Sequence, residues 1–105
     1  MKLWIDDIRP APEGYTHIRT ANCAMKYISM HPNDIEIVSL DHDAGDFGGV
    51  ANGGDYIEIL KELERLTHIR GMDFSNIKFR LHSANPVGVA NMRAIIEKNG
   101  WKEIR

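Results

Sequence analysis

The stretch Ile35-Glu36-Ile37-Val38-Ser39-Leu40-Asp41-His42-Asp43-Ala44-Gly45 decides the fold. An apolar, β-rich run from Ile35 to Leu40 delivers three titratable side chains in a row, and a loop with glycines at 45, 48, 49, 53 and 54 follows. Open α/β sheets present chemistry in this way, where the carboxyl end of a strand hands over to a pliable loop. Two other runs end similarly, in Trp4-Ile5-Asp6-Asp7 and in Leu81-His82-Ser83-Ala84-Asn85-Pro86. The three ends are expected to meet at one sheet edge.

Outward from that stretch, periodicity predicts the remaining elements. Lys2 to Asp6 alternates as a strand, with Leu3 and Ile5 on one face and Lys2, Trp4 and Asp6 on the other. Two prolines and a glycine in residues 8–14 forbid a regular helix there. Tyr15 to Arg19 is short and β-prone. Thr20 is placed as the N-cap of a helix from Ala21 to about His31, with Ala21, Ala24, Met25 and Ile28 facing inward. After the glycine loop, which we read as a mobile flap, Asp55 and Glu58 suggest a capping-box variant. The helix they open carries Tyr56, Ile59, Leu60, Leu63 and Leu66 and leaves near Gly71. Ile77 to His82 reads as a strand. Asn85-Pro86 gives an N-cap and a proline at N1 for a helix to about Asn99, stopped by Gly100. Trp101 to Ile104 makes a short last strand.

The order β-β-α-β-α-β-α-β implies a mainly parallel sheet wound by right-handed crossovers. No helix fits between the first two strands and none follows the last, so one sheet face should be poorly covered. Alternation of Ile77, Phe79 and Leu81 with Lys78, Arg80 and His82 agrees with a half-exposed sheet. That face is expected to be polar and wet, or covered by a second subunit in a homodimer.

A chain of 105 residues with 43% hydrophobic and 27% charged content is one ordinary globular domain. No apolar run approaches the ~18 residues of a membrane helix, and the N-terminus lacks a signal-peptide pattern. The single cysteine, Cys23, has no disulfide partner, and a cytoplasmic location with no membrane association is expected. A net charge of −2 argues against broad electrostatic capture of nucleic acid but leaves room for a local phosphate pocket.

Asp6, Asp7, Asp41 and Asp43 would crowd one edge if the strand ends converge. Two unit charges ~4 Å apart repel by about 4 kcal/mol at an effective dielectric of ~20. Such a cluster calls for a divalent cation, nearby arginines or a raised pKa on one member. Oxygen ligands suit Mg²⁺ or Mn²⁺, whereas a ligating His42 would tilt the site toward a transition metal. Solvated loop carboxylates are the bland alternative. His42 and His82 end two of the strands and are candidate acid–base groups; a lone strand-end histidine is as often structural. Ser83, Asn85, Arg9 and Arg19 are candidate phosphate ligands, against local turn bonding, capping and plain surface charge. The glycine loop does not fit the nucleotide-binding spacings GxGxxG or GxxxxGK[ST].

These residues resemble the receiver domains of two-component signalling: an acidic pair after the first strand (Asp6, Asp7), an Asp after the third (Asp41) and Ser83-Ala84 after the fourth. In receivers the acidic pair and the third-strand Asp bind Mg²⁺, and that Asp accepts a phosphoryl group. The receiver lysine after strand five has no counterpart here, and the first and last receiver helices are missing. A closer resemblance is to the cyclic-phosphate processing receiver-like domains, carried by Asp6-Asp7-Ile8-Arg9-Pro10, Leu40-Asp41-His42-Asp43-Ala44-Gly45 and His82-Ser83-Ala84-Asn85-Pro86. It implies a receiver-like (flavodoxin-like) five-stranded α/β fold with about three helices.

Two functions are weighed. In the first, Asp6, Asp7 and Asp41 hold a divalent ion of a phosphoesterase acting on cyclic phosphates of nucleotides or RNA ends, as in RNA repair. Asp41, His42, His82 and Asp43 then do the chemistry, and Ser83, Asn85, Arg9 and Arg19 bind the phosphate. In the second, the domain is a binding or switch module with Asp41 as phosphoacceptor.

Overall fold

A computed structural model describes residues 1–105. Its sheet has five strands: β1 (Lys2–Ile5), β2 (Tyr15–Ile18), β3 (Ile37–Leu40), β4 (Lys78–Leu81) and β5 (Lys102–Ile104). They lie in the order β2-β1-β3-β4-β5, and every pairing is parallel. The sheet is thus wholly parallel, and the α/β receiver-like order is the one expected. Helices α1 (Ala21–Met30), α2 (Ile57–Arg70) and α3 (Pro86–Lys98) connect β2 to β3, β3 to β4 and β4 to β5. All three connections travel in the same direction across the sheet, so right-handed crossovers place all three helices on one face. They pack there side by side, α1 against α2 and α2 against α3.

The core fills the space between that face and the helices. Leu3, Ile5, Val38, Leu40 and Phe79 point inward from the strands, and Ala24, Ile28, Leu60, Leu63, Met92 and Ile96 meet them from the helices. Thr20 caps α1 as expected, accepting from the Cys23 N–H at 3.2 Å, and Asn85 caps α3 through the Gly88 N–H at 3.0 Å. Gly71 ends α2 at φ 65°, a left-handed cap that glycine adopts without cost. No helix is long and apolar enough to cross a membrane.

One local expectation is corrected. Asp55 does not cap α2; its Oδ1 accepts the Ala44 N–H at 3.0 Å across the loop, and Tyr56 stands at the cap position without a side-chain bond. The glycine loop, read from the sequence as a mobile flap, holds two 3₁₀ turns, Gly45–Phe47 and Val50–Asn52. Asn22 Nδ2 ties it to α1 by donating to the Ala51 carbonyl at 3.0 Å, and Ala44 is buried beneath it. Several strand and helix ends also fall one or two residues short of the sequence reading.

The second sheet face carries no helix. The β1–β2 connection runs the other way across the sheet, so residues 6–14 cross on this side. Trp4 Nε1 donates to the Arg9 carbonyl at 3.0 Å, and the loop covers Trp4, leaving it 9% exposed. Ser39 on this face is also buried, whereas Lys78, Arg80 and Lys102 are exposed.

Candidate functional site

Ladder hydrogen bonds continue past the strands and fix the backbone of the residues that follow them. Asp6 N–H donates to Ile18 O (3.2 Å), Asp41 N–H to Ile5 O (2.9 Å) and His82 N–H to Leu40 O (2.9 Å). Three strand ends therefore meet at one edge, between β1 and β3. There one connection leaves over the open face and the next over the helical face, the crevice where open α/β sheets hold ligands.

Asp6, fully buried, turns the chain. Its Oδ1 accepts the N–H groups of Ile8 and Arg9, both at 2.9 Å, and this bend brings the adjacent Asp7 to the same edge. Its Oδ2 accepts His82 Nε2–H at 2.9 Å. Burial works to raise the Asp6 pKa, but the two backbone donors and the imidazole outweigh it and hold the carboxyl below its ordinary range. Asp7 has the opposite fate: burial pushes its pKa up, and the charges of Asp6 and Asp41 add to the rise. Gly45, at φ 54°, packs its Cα against Asp7, and a Cβ there would overlap Asp7 Oδ2. Asp41 Oδ1 accepts the His42 N–H at 2.8 Å.

Asp6, Asp7 and Asp41 each place one oxygen within 4.8 Å of the others. No Lys or Arg forms an ion pair with any of them. An oxygen-only set with uncompensated negative charge fits a hard divalent cation. This group could hold a metal ion, and it contains no imidazole.

His82 is held on all sides. Its ring stacks on Trp4 with centroids 3.8 Å apart and planes 5° from parallel, and its Nδ1 lies 2.8 Å from Ser39 Oγ. With Asp6 ionised, Nε2 carries the proton and the neutral ring accepts the Ser39 hydroxyl at Nδ1. Burial lowers the His82 pKa against the pull of Asp6, in keeping with that neutral form. Arg9 bridges the same corner, its Nη1 donating to the His82 carbonyl at 2.8 Å.

His42 sits in a second group at the start of α3. Its Nδ1 is 2.8 Å from Asp43 Oδ1, and its ring lies on Gly88, where a Cβ would come within 2.6 Å of Cδ2. Asn85 Nδ2 reaches toward Asp43 Oδ2 at 3.5 Å. Ser83 Oγ accepts the Asn85 N–H at 3.1 Å, a local turn. The Arg19 side chain joins neither group; the Arg19 carbonyl accepts the buried Tyr56 hydroxyl at 2.6 Å. Sequence reasoning missed the parts played by Ser39, Gly45 and Gly88. Only Ser39 left a signal, since strand alternation puts it on the Trp4 face.

The site is an open edge. The one sizeable concavity lies elsewhere, between α1 and α2, lined by Met25, Lys26, Arg65 and Met72 among others.

A family described as the cyclic-phosphate processing receiver domain matches residues 1–98. Comparison with curated proteins and with solved structures finds no match for this chain. A match over nearly the whole chain, on a fold whose strand ends carry the acidic pair and the third-strand aspartate, shows that the chain belongs to the cyclic-phosphate processing receiver domains.

Proposed function

We propose that the domain is a metal-assisted phosphoesterase that opens cyclic phosphates of nucleotides or RNA ends. The observation that carries this is the uncompensated oxygen cluster of Asp6, Asp7 and Asp41, standing at the same sheet edge as an imidazole with an unbonded Nε2. A divalent cation, Mg²⁺ or Mn²⁺ by the donor set, would polarise a phosphoryl oxygen and lower the pKa of water there.

The chain's own residues supply the rest. Asp43 takes the Nδ1–H of His42 and fixes the tautomer, which leaves Nε2 to accept the proton of the attacking water. Water adds to phosphorus, one ring P–O bond breaks, and the sugar oxygen that leaves takes the proton back from His42. The product is an acyclic phosphomonoester. Arg9, Ser83, Asn85 and the free N–H of Val87 at the start of α3 are the donors for the phosphoryl oxygens. His82, with both nitrogens engaged, orients Asp6 instead of carrying protons.

Calorimetry with Mg²⁺, Mn²⁺ and Zn²⁺ should show binding that Asp41→Asn abolishes. A panel of 2′,3′-cyclic nucleotides and cyclic-phosphate RNA ends should then be turned over by the wild type alone. Silence of the whole panel with all three metals would sink the proposal. Asp41 also stands where receivers take a phosphoryl group. Acetyl phosphate that adds an Asp41-dependent phosphoryl mass, with no turnover, would favour the switch reading.

A further inference from the structure

The open sheet face gathers cations that nothing in the molecule neutralises. On this face Lys2, Ile37, Lys78 and Lys102 lie in one row of paired residues across β1, β3, β4 and β5, and Trp4, Ser39, Arg80 and Ile104 form the next. Lys2, Lys78, Arg80 and Lys102 take part in no ion pair, and no strand position on this face is acidic. Lys78 stands directly opposite Lys102, a like-charged cross-strand pair that disfavours the sheet. Protection of an edge strand explains Lys102 but not Lys78 or Arg80, because β4 is an interior strand. Strand spacings of about 4.8 Å and two-residue steps of about 6.6 Å put neighbouring members of the group within a Debye length of each other. The chain carries −2 overall, so this is a local concentration of positive charge on an acidic molecule.

We infer that this face binds the phosphodiester backbone of a single-stranded nucleic acid whose end lies at the carboxylate edge. The inference rests on the phosphoesterase reading and narrows its substrate to a polymer end. Three observations select this occupant. Arg80 stands on β4 two residues before His82, which follows the end of that strand and stacks on Trp4 of the same face, so the basic rows run up to the site corner. The site is an open edge with no enclosed pocket of the kind that engulfs a small molecule. A second copy of the chain would set lysines against lysines, a repulsive match that opposes an isologous dimer through this face.

Binding by fluorescence anisotropy uses a labelled oligouridylate twelve-mer ending in a 2′,3′-cyclic phosphate, the same oligomer ending in a 3′-hydroxyl, and uridine 2′,3′-cyclic phosphate as competitor. Four phosphate contacts on a single strand imply about a 50-fold loss of affinity between ~50 and ~200 mM salt. Lys78→Gln/Arg80→Gln/Lys102→Gln should reduce that loss to about 3-fold, by removing three of the four contacts. Lys26→Gln/Lys61→Gln/Lys98→Gln removes the same charge from the helical side and should keep the wild-type slope, provided both variants melt as the wild type does.

Retention of affinity and slope in the sheet-face variant would overturn the inference. So would a twelve-mer that binds no better than the mononucleotide, or poly-glutamate that binds as well as RNA, which would point to an acidic protein. Slope lost as expected while no cyclic phosphate is turned over would sustain the face and overturn the phosphoesterase reading alone.

Discussion

Asp7 bears the strain of the carboxylate cluster: burial and the charges of Asp6 and Asp41 raise its pKa by more than its own backbone N–H lowers it, whereas the donors to Asp6 prevail. A carboxyl whose folded pKa exceeds its unfolded value of ~3.9 favours the folded state fully below that value, and this contribution is lost as pH rises through the folded pKa. Asp7→Asn should therefore stabilise the metal-free protein above that range by about 1 kcal/mol, roughly 4–8 °C in Tm, while abolishing divalent-metal binding. Thermal melts between pH 3 and 8 check it; a lowered Tm at neutral pH would show that Asp7 makes a contact worth more than its repulsion. Asp6 runs the other way. Its lowered pKa stabilises above ~3.9 and the gain is lost as pH falls through the folded value. Gly88 offers a second test. Alanine in a helix ordinarily gains about 0.5–1 kcal/mol over glycine, but here the Cβ would overlap the His42 ring. Gly88→Ala should bring no rise in Tm and at least a roughly tenfold fall in turnover; a more stable and fully active variant would mean that His42 is not seated there. At this scale the carboxylates and His42 were legible in the sequence because strand alternation and loop onset mark them. The glycine contacts were not, since which side chain a Cα touches is settled by tertiary packing alone.

Asn85 joins two jobs at the start of α3. As N-cap it accepts the Gly88 N–H, and its amide reaches toward Asp43. Asn85→Ala should cost about 1 kcal/mol in stability, read from urea or thermal unfolding. Asn85→Asp keeps the cap oxygen and suits the positive end of the helix, so its stability should stay within roughly 0.5 kcal/mol of wild type. Both substitutions should slow turnover, alanine by removing the amide that reaches toward Asp43 and aspartate by repelling it. An Asn85→Asp protein as active as wild type would reduce residue 85 to a cap. Caps of this kind were readable in advance for α1 and α3, where Thr20 and Asn85-Pro86 precede the apolar pattern. For α2 the same logic failed: Asp55 has cap chemistry, but the Ala44 N–H across the loop competes for its oxygen and wins.

For the molecule as a whole, the parallel sheet and its right-handed winding followed from the alternation of strands and helices. The receiver-like arrangement was implied by the resemblance, and a poorly covered face was expected because no helix fits between the first two strands. The path of residues 6–14 over Trp4 was not legible, since proline and glycine say where a chain turns and not what it shields. That topology also bears on how the chain reaches this state. β1 pairs with β2 and β3, so Lys2 must find Tyr15 on one side and Ile37 on the other. Parallel pairing is never local, and such contacts close slowly. Docking β1 against β3 is also the event that brings Asp6, Asp7 and Asp41 within reach of one another. Their repulsion then opposes the passage itself, and the folding rate becomes sensitive to whatever relieves it. In stopped-flow refolding, millimolar Mg²⁺ should accelerate the main phase beyond NaCl of equal ionic strength, and Asp7→Asn should refold faster than wild type and lose the Mg²⁺ excess. Equal rates in the two salts would place the meeting of the three carboxylates after the rate-limiting barrier, on the native side of the folding transition state.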